Sequence, residues 1–101
     1  ANTPTGVNDN GSVPKEYSMK QNYPNPFNPS TMIRFDLPKE SRIRLEVFNI
    51  IGQKVATIFD GMKPAGTHEA LFDASDLTSG IYIYKLIVPN QTFTKKMVLM
   101  K

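Results

Sequence analysis

The sequence predicts an all-β protein, a seven-stranded β-sandwich of immunoglobulin type. Three observations carry this. Apolar and polar residues alternate with a period of two through several short runs, which puts one set of side chains on each face of an extended chain. Clusters of Gly, Pro, Asn and Asp punctuate the runs every 8 to 12 residues or about that. No stretch keeps a helical period over a convincing length. The chain has no Cys and no Trp, so the disulfide and tryptophan of antibody domains are missing. The expectation concerns architecture alone.

Residues 1–16 are rich in Asn, Gly, Thr, Pro and Ser and offer almost nothing to bury. Such a composition does not offset the entropy of ordering it, so the segment reads as a flexible linker. The folded domain is expected over 17–101. Tyr17 to Gln21 is expected to be a short first strand, with Tyr17 and Met19 facing inward. In Tyr23-Pro24-Asn25-Pro26-Phe27-Asn28-Pro29 the prolines fix φ and push the residues before them to extended geometry. The segment is neither helix nor inner strand. It is expected to be a stiff extended strap held by Tyr23 and Phe27, either a plain connection or a rigid feature that a partner recognises.

Thr31, Ile33, Phe35 and Leu37 alternate with Met32, Arg34 and Asp36. After the turn at Pro38-Lys39-Glu40-Ser41, Ile43, Leu45 and Val47 alternate with Arg42, Arg44, Glu46 and Phe48. As a hairpin these strands would match Asp36 with Arg44 and Arg34 with Glu46, two pairs of opposite charge. Asn49 to Gln53 is a turn, with Gly52 its residue of positive φ. Lys54 to Phe59 is a short strand. Asp60-Gly61 and Pro64-Ala65-Gly66 bracket an exposed connection, and Thr67 to Asp73 is a strand with His68, Ala70 and Phe72 on one side. Asp73 to Gly80 is a polar crossing loop. Gly80 to Val88 is the central strand, with Tyr82, Tyr84, Leu86 and Val88 on one face and Ile81, Ile83 and Ile87 on the other. A strand apolar on both sides calls for a second cover, from the fold or from outside it. Pro89-Asn90-Gln91 turns the chain back, and Thr92 to Met100 closes it.

Length and charge narrow the function. A chain of 101 residues makes one small domain. A domain of that size buries about 60 to 65% of its unfolded surface, which leaves little room for an enclosed active site. The net charge is +3, with no dense Lys/Arg cluster among exposed aromatics, so nucleic acid is not the expected partner. No apolar run nears the ~18 residues of a membrane span. No signal peptide stands at the front, and the polar opening suggests the end of a longer protein.

No constellation for chemistry stands out. His68 is a lone histidine in a strand and is expected to be a packed or edge residue there. Asp73 and Asp76 lack the graded oxygen spacing of a calcium loop, and capping of the loop by Asp and Ser is favoured. Asn90-Gln91-Thr92 and Asn10-Gly11-Ser12 fit the glycosylation sequon, and Asn10-Gly11 also invites deamidation. Asn28 is followed by proline and does not qualify. No cofactor and no catalysis are expected. At the end, Lys95 and Lys96 precede Met97-Val98-Leu99-Met100, and Lys101 follows. This is either a last strand with solvating lysines or a strand read by a docking protein.

Taken in order, four segments resemble the C-terminal sorting domain of bacterial type IX secretion substrates, type A. They are the Tyr23–Pro29 strap, Val47-Phe48-Asn49-Ile50-Ile51-Gly52-Gln53-Lys54-Val55, Leu77-Thr78-Ser79-Gly80-Ile81-Tyr82, and Lys96 to Lys101. The match runs over residues 17–101 and ends where the family ends. Gln53 stands where many members carry arginine. The resemblance implies a label carried by large secreted enzymes and adhesins of the Bacteroidetes. It would direct cargo from the periplasm through an outer-membrane translocon to the cell surface or medium. The partners implied are that translocon, a shuttle β-barrel protein and a surface sortase. The sortase would cut in the linker before about Tyr17 and attach cargo to lipopolysaccharide. The residues implied in sorting are Pro24, Asn25, Pro26 and Phe27 in the strap, Gly52 and Lys54 in the turn, and Gly80 and Tyr82 opening the central strand. The terminal set is Lys96, Met97, Val98, Leu99, Met100 and Lys101. An exposed edge strand predicts weak pairing of two copies at high concentration. The alternative function is a non-catalytic accessory, carbohydrate-binding or spacer module of a secreted enzyme.

Overall fold

The computed structural model describes residues 13–101. Most of the linker, with the Asn10-Gly11-Ser12 triplet, lies outside the described residues. Seven strands and no helix are present among the described residues: β1 (Ser18–Met19), β2 (Ser30–Leu37), β3 (Ser41–Phe48), β4 (Lys54–Lys63), β5 (Gly66–Asp73), β6 (Gly80–Val88) and β7 (Gln91–Leu99). They form two antiparallel sheets, ordered β1-β2-β5 and β4-β3-β6-β7. This is the all-β sandwich that the alternation predicts.

One core lies between the sheets. Ile33, Phe35 and Leu37 of β2 and Phe72 of β5 come from one side. Ile43, Leu45 and Val47 of β3, Tyr82, Tyr84, Leu86 and Val88 of β6, and Met97 and Leu99 of β7 come from the other. Each large apolar side chain so buried stabilises the fold by about 1.5–3 kcal/mol. β6 spans the residues the sequence marks, and its neighbours β3 and β7 make it an inner strand.

The β2–β3 hairpin is not formed. β2 pairs with β1 and β5, while β3 pairs with β4 and β6, so the Pro38–Glu40 turn carries the chain from one sheet to the other. Arg34 instead faces Glu69 and forms an ion pair with it, Arg44 faces Asp60, and Asp36 faces Thr67. The reason is physical. Side by side in a hairpin, both apolar sets would need a third layer to cover them. Placed in opposite sheets, they cover each other.

Other boundaries also move. The first strand is only Ser18–Met19, although Lys20 still donates to the Arg34 carbonyl at 2.8 Å. Met19 is buried and Tyr17 packs partly against the core, its hydroxyl 2.8 Å from Ser41 Oγ. β4 does not stop at Phe59 but runs through Asp60-Gly61 to Lys63, because β3 extends to Ser41 and pairs with it throughout. Gly52 has a φ of 87° as expected, and Asn90 (φ 68°) takes the left-handed position of the β6–β7 turn.

Candidate functional site

Segments far apart in sequence meet at one end of the sandwich: the strap, the start of β6 and the terminal strand. Gly80 lies opposite Leu99 and Tyr82 opposite Met97 in the β6–β7 ladder. β7 is an edge strand, so alternate backbone groups face away from β6 and need partners. The strap supplies them at the Val98–Met100 end. Val98 N–H donates to Asn25 Oδ1 (3.0 Å), Phe27 N–H to the Val98 carbonyl (3.0 Å), and Met100 N–H to the Phe27 carbonyl (2.9 Å). Gln21 Nε2 donates to the Lys96 carbonyl at 2.7 Å. Pro24, Pro26 and Pro29 have no N–H, so the strap covers one edge without presenting another.

The strap differs from its expected form. It bends rather than running extended, and its three X–Pro bonds are cis. Phe27 anchors it from the core, its ring centroid 6.4 Å from that of Phe72. Tyr23 does not. Its backbone pairs with Met32, but its side chain is 80% exposed. The second anchor is Asn22, which the sequence reading missed. Asn22 is buried, and its Nδ2 donates to the Pro24 carbonyl and to Thr31 Oγ1. Its backbone N–H donates to Tyr84 Oη at 2.8 Å, and Tyr84 Oη donates to the Lys20 carbonyl at 3.0 Å. The available signal was a chain of prolines, whose neighbours need outside donors for their carbonyls. Burial pushes the Tyr84 hydroxyl above its ordinary pKa of 10.0, opposed by the Asn22 hydrogen bond.

The loop into β6 is tied at two points. Tyr82 Oη donates to the Thr78 carbonyl at 2.7 Å, a hydroxyl-to-backbone tie of the kind called a tyrosine corner. Asp73 Oδ1 accepts from the hydroxyl and backbone N–H of Ser75, which hold its carboxyl below the usual range. That is the expected capping arrangement. Lys101 reaches the same loop, its Nζ 2.5 Å from the Ser75 carbonyl and its N–H 3.0 Å from Ser79 Oγ. In the β3–β4 turn, Asn49 Oδ1 accepts from Ile51 N–H and Gln53 N–H, and this leaves Ile50 and Ile51 exposed at 72% and 74%.

The residues singled out for sorting therefore divide. Phe27, Tyr82, Met97 and Leu99 are buried in the core. Pro24, Asn25, Pro26, Gly52, Lys54, Gly80, Lys96, Met100 and Lys101 are exposed, and Val98 is half-buried. Gly52 and Lys54 are not beside the strap. They lie two strands away, across Phe48 and Ile83, and Lys54 Nζ is 3.4 Å from Glu46 Oε2.

His68 is half-buried against Phe35 and its Nε2 donates to the Pro64 carbonyl at 2.7 Å. Among the described residues, no group of three or more His, Cys, Asp or Glu side chains could hold a metal ion. Two open hollows of about 360 and 340 Å³ lie on outer faces. In the first Arg34 pairs with Glu69 beside Lys20, and in the second Arg42 pairs with Asp60 beside Arg44, which pairs with Glu46. Tyr23 is the one exposed aromatic among the described residues, which does not favour a carbohydrate-binding platform.

The geometry is that of a small β-sandwich whose last strand is strapped down along its outer edge. The profile of the family described as the secretion system C-terminal sorting domain matches residues 21–100. The chain belongs to that family, and it is a C-terminal sorting signal for type IX secretion cargo. Membership implies interaction with the type IX machinery and export to the cell surface or the medium. Among curated proteins, none matches the chain.

Proposed function

We propose that residues 17–101 are read as a folded object, without catalytic activity of their own, by an outer-membrane translocon, a shuttle β-barrel protein and a surface sortase. Recognition follows passage through the periplasm, and the cut falls before about Tyr17, in the 1–16 linker. The recognised residues are the exposed ones of the motifs: Pro24, Asn25, Pro26, Gly52, Lys54, Gly80, Lys96, Met100 and Lys101. Phe27, Tyr82, Met97 and Leu99 hold them in place, and Val98 joins the two sets. Two copies pair weakly through an edge strand at high concentration.

One observation supports this reading most. The terminal segment is not a loose tail but part of the fold, bonded to β6 on one side and to the strap on the other. The test is export of a reporter carrying residues 1–101 in a host with this secretion system. Removing Lys96 to Lys101 would confound signal with stability, since Met97 and Leu99 belong to the core. The informative variant is Lys96→Ala with Met100→Ser and Lys101→Ala. Wild-type reporter is expected at the surface. The triple variant is expected to stay in the periplasm while melting as the wild type does. Wild-type reporter held in the periplasm would refute the proposal.

A further inference from the structure

The sandwich covers only one face of β6. Its inner residues are buried, but Ile81 on the outer face is 44% exposed, and Ile83 and Ile87 are half-buried. The ladders place Phe48 of β3, Ile83 of β6 and Lys96 of β7 in one row, with Ile81 and Val98 paired in the next. This apolar strip continues toward the end of the sheet where the turn exposes Ile50 and Ile51.

Charge on this face is one-sided. Arg42, Arg44, Lys54, Lys85 and Lys96 point outward, against the carboxylates of Glu46 and Asp60. Both carboxylates are already engaged. Glu46 is buried between Arg44 (3.7 Å) and Lys54 (3.4 Å), and Asp60 pairs with Arg42 (3.2 Å). Lys96 forms no ion pair among the described residues, and Lys85, although opposite Glu46 in the ladder, forms none with it and lays its Nζ over the Phe48 ring at 4.8 Å. The outer face of the other sheet is different. Tyr23, Met32 and Leu71 are exposed there too, but its two cations, Lys20 and Arg34, are matched in number by the carboxylates of Glu69, which pairs with Arg34, and Asp36, which accepts from the Ser18 and Thr67 hydroxyls.

We infer that the strip of Phe48, Ile81, Ile83 and Val98, with Lys85 and Lys96 at its rim, docks a protein segment that carries carboxylates beside apolar side chains. The inference rests on the sorting-signal reading and names the surface by which an export partner holds the label. Apolar side chains of the partner cover the strip, and its carboxylates meet Lys85 and Lys96 on a face where five cationic side chains stand against two carboxylates. Complementary charge of this kind sets encounter rate and register, while the apolar strip supplies the buried area.

The test is export of the reporter fused to residues 1–101, with Lys85→Glu/Lys96→Glu compared with the control Lys20→Glu/Lys39→Glu. Both pairs change the net charge equally. Surface reporter is expected to fall about tenfold for the first pair and to change little for the control, since like charges now face each other at the contact. The control is expected to melt as the wild type does, and because Lys85→Glu sets a carboxylate opposite Glu46, export of the two pairs is compared at a temperature where melting curves show both folded. Equal export from the two variants, or equal loss in both, would overturn the inference while wild-type export upholds the sorting reading. Absence of wild-type reporter from the surface would overturn both. A photo-crosslinking residue at position 81, with position 71 as control, then identifies the occupant. An adduct with a protein, on a peptide with Asp or Glu beside apolar residues, is expected at 81 alone. An adduct with lipid or with a second copy of this chain would contradict the proposed occupant.

Discussion

The two faces of β6 carry similar side chains and meet opposite fates. Tyr82, Tyr84, Leu86 and Val88 are sealed by the facing sheet, whereas Ile81, Ile83 and Ile87 keep contact with solvent. The same division runs through β7, where Met97 and Leu99 are buried and Lys96 is exposed. A motif that reads as one string in the sequence is therefore two sets of residues in space. One set holds the sandwich together and the other is what a partner can touch. Alternation along a strand produces this split directly, because successive side chains point to opposite faces.

Substitutions on the two faces should separate the roles. The largest effect is expected at the strap anchor. Phe27→Ala should destabilise by about 3–5 kcal/mol, a large part of the stability of a small domain, read from urea unfolding. Next comes Tyr84→Phe, which leaves the buried Asn22 N–H without its acceptor and should cost about 1–3 kcal/mol. Tyr84 also predicts a pH dependence. Its folded pKa is raised above the unfolded value of 10.0, so its contribution is complete below that pH and is lost as pH rises through the folded value. Urea midpoints measured from neutral to strongly alkaline pH should fall less steeply for Tyr84→Phe than for the wild type. Gly52→Ala should cost about 1–2 kcal/mol, all of it from the left-handed backbone, since nothing lies within 4 Å of the added Cβ. The smallest effect on stability is expected on the outer face, where Ile81→Thr should stay within about 0.5 kcal/mol by thermal melting. A loss at Ile81 comparable to that at Phe27 would erase the contrast between the faces.

Much of this was legible in the sequence, for a definite reason. Side-chain alternation is a local property, so the span of β6 and its buried face could be read from Gly80 to Val88 alone. Pairing between strands is not local. The alternation in Thr31–Leu37 and Ile43–Val47 says which side of each strand is buried, but not whether its partner lies beside it or across the core. The β2–β3 hairpin was misread on that account. β4 was expected to end too early because Asp60-Gly61 resembles a turn when its pairing with Arg44 and Ile43 is not in view. The strap's bonds to β7 join residues about seventy positions apart, and nothing near Asn25 or Phe27 announces Val98. Asn22 was missed because, beside its bond to the nearby Pro24 carbonyl, its partners Thr31 and Tyr84 lie on β2 and β6.

The central claim is that the terminal segment belongs to the fold and is held between β6 and the strap. Amide hydrogen exchange at Val98 and Met100 tests this most directly, because both N–H groups point away from β6 toward Asn25 and Phe27. Protection of both amides comparable to that of β6 is the predicted result, with the Val98 protection lost in Asn25→Ala. Exchange of both at the rate of an unstructured peptide would contradict it.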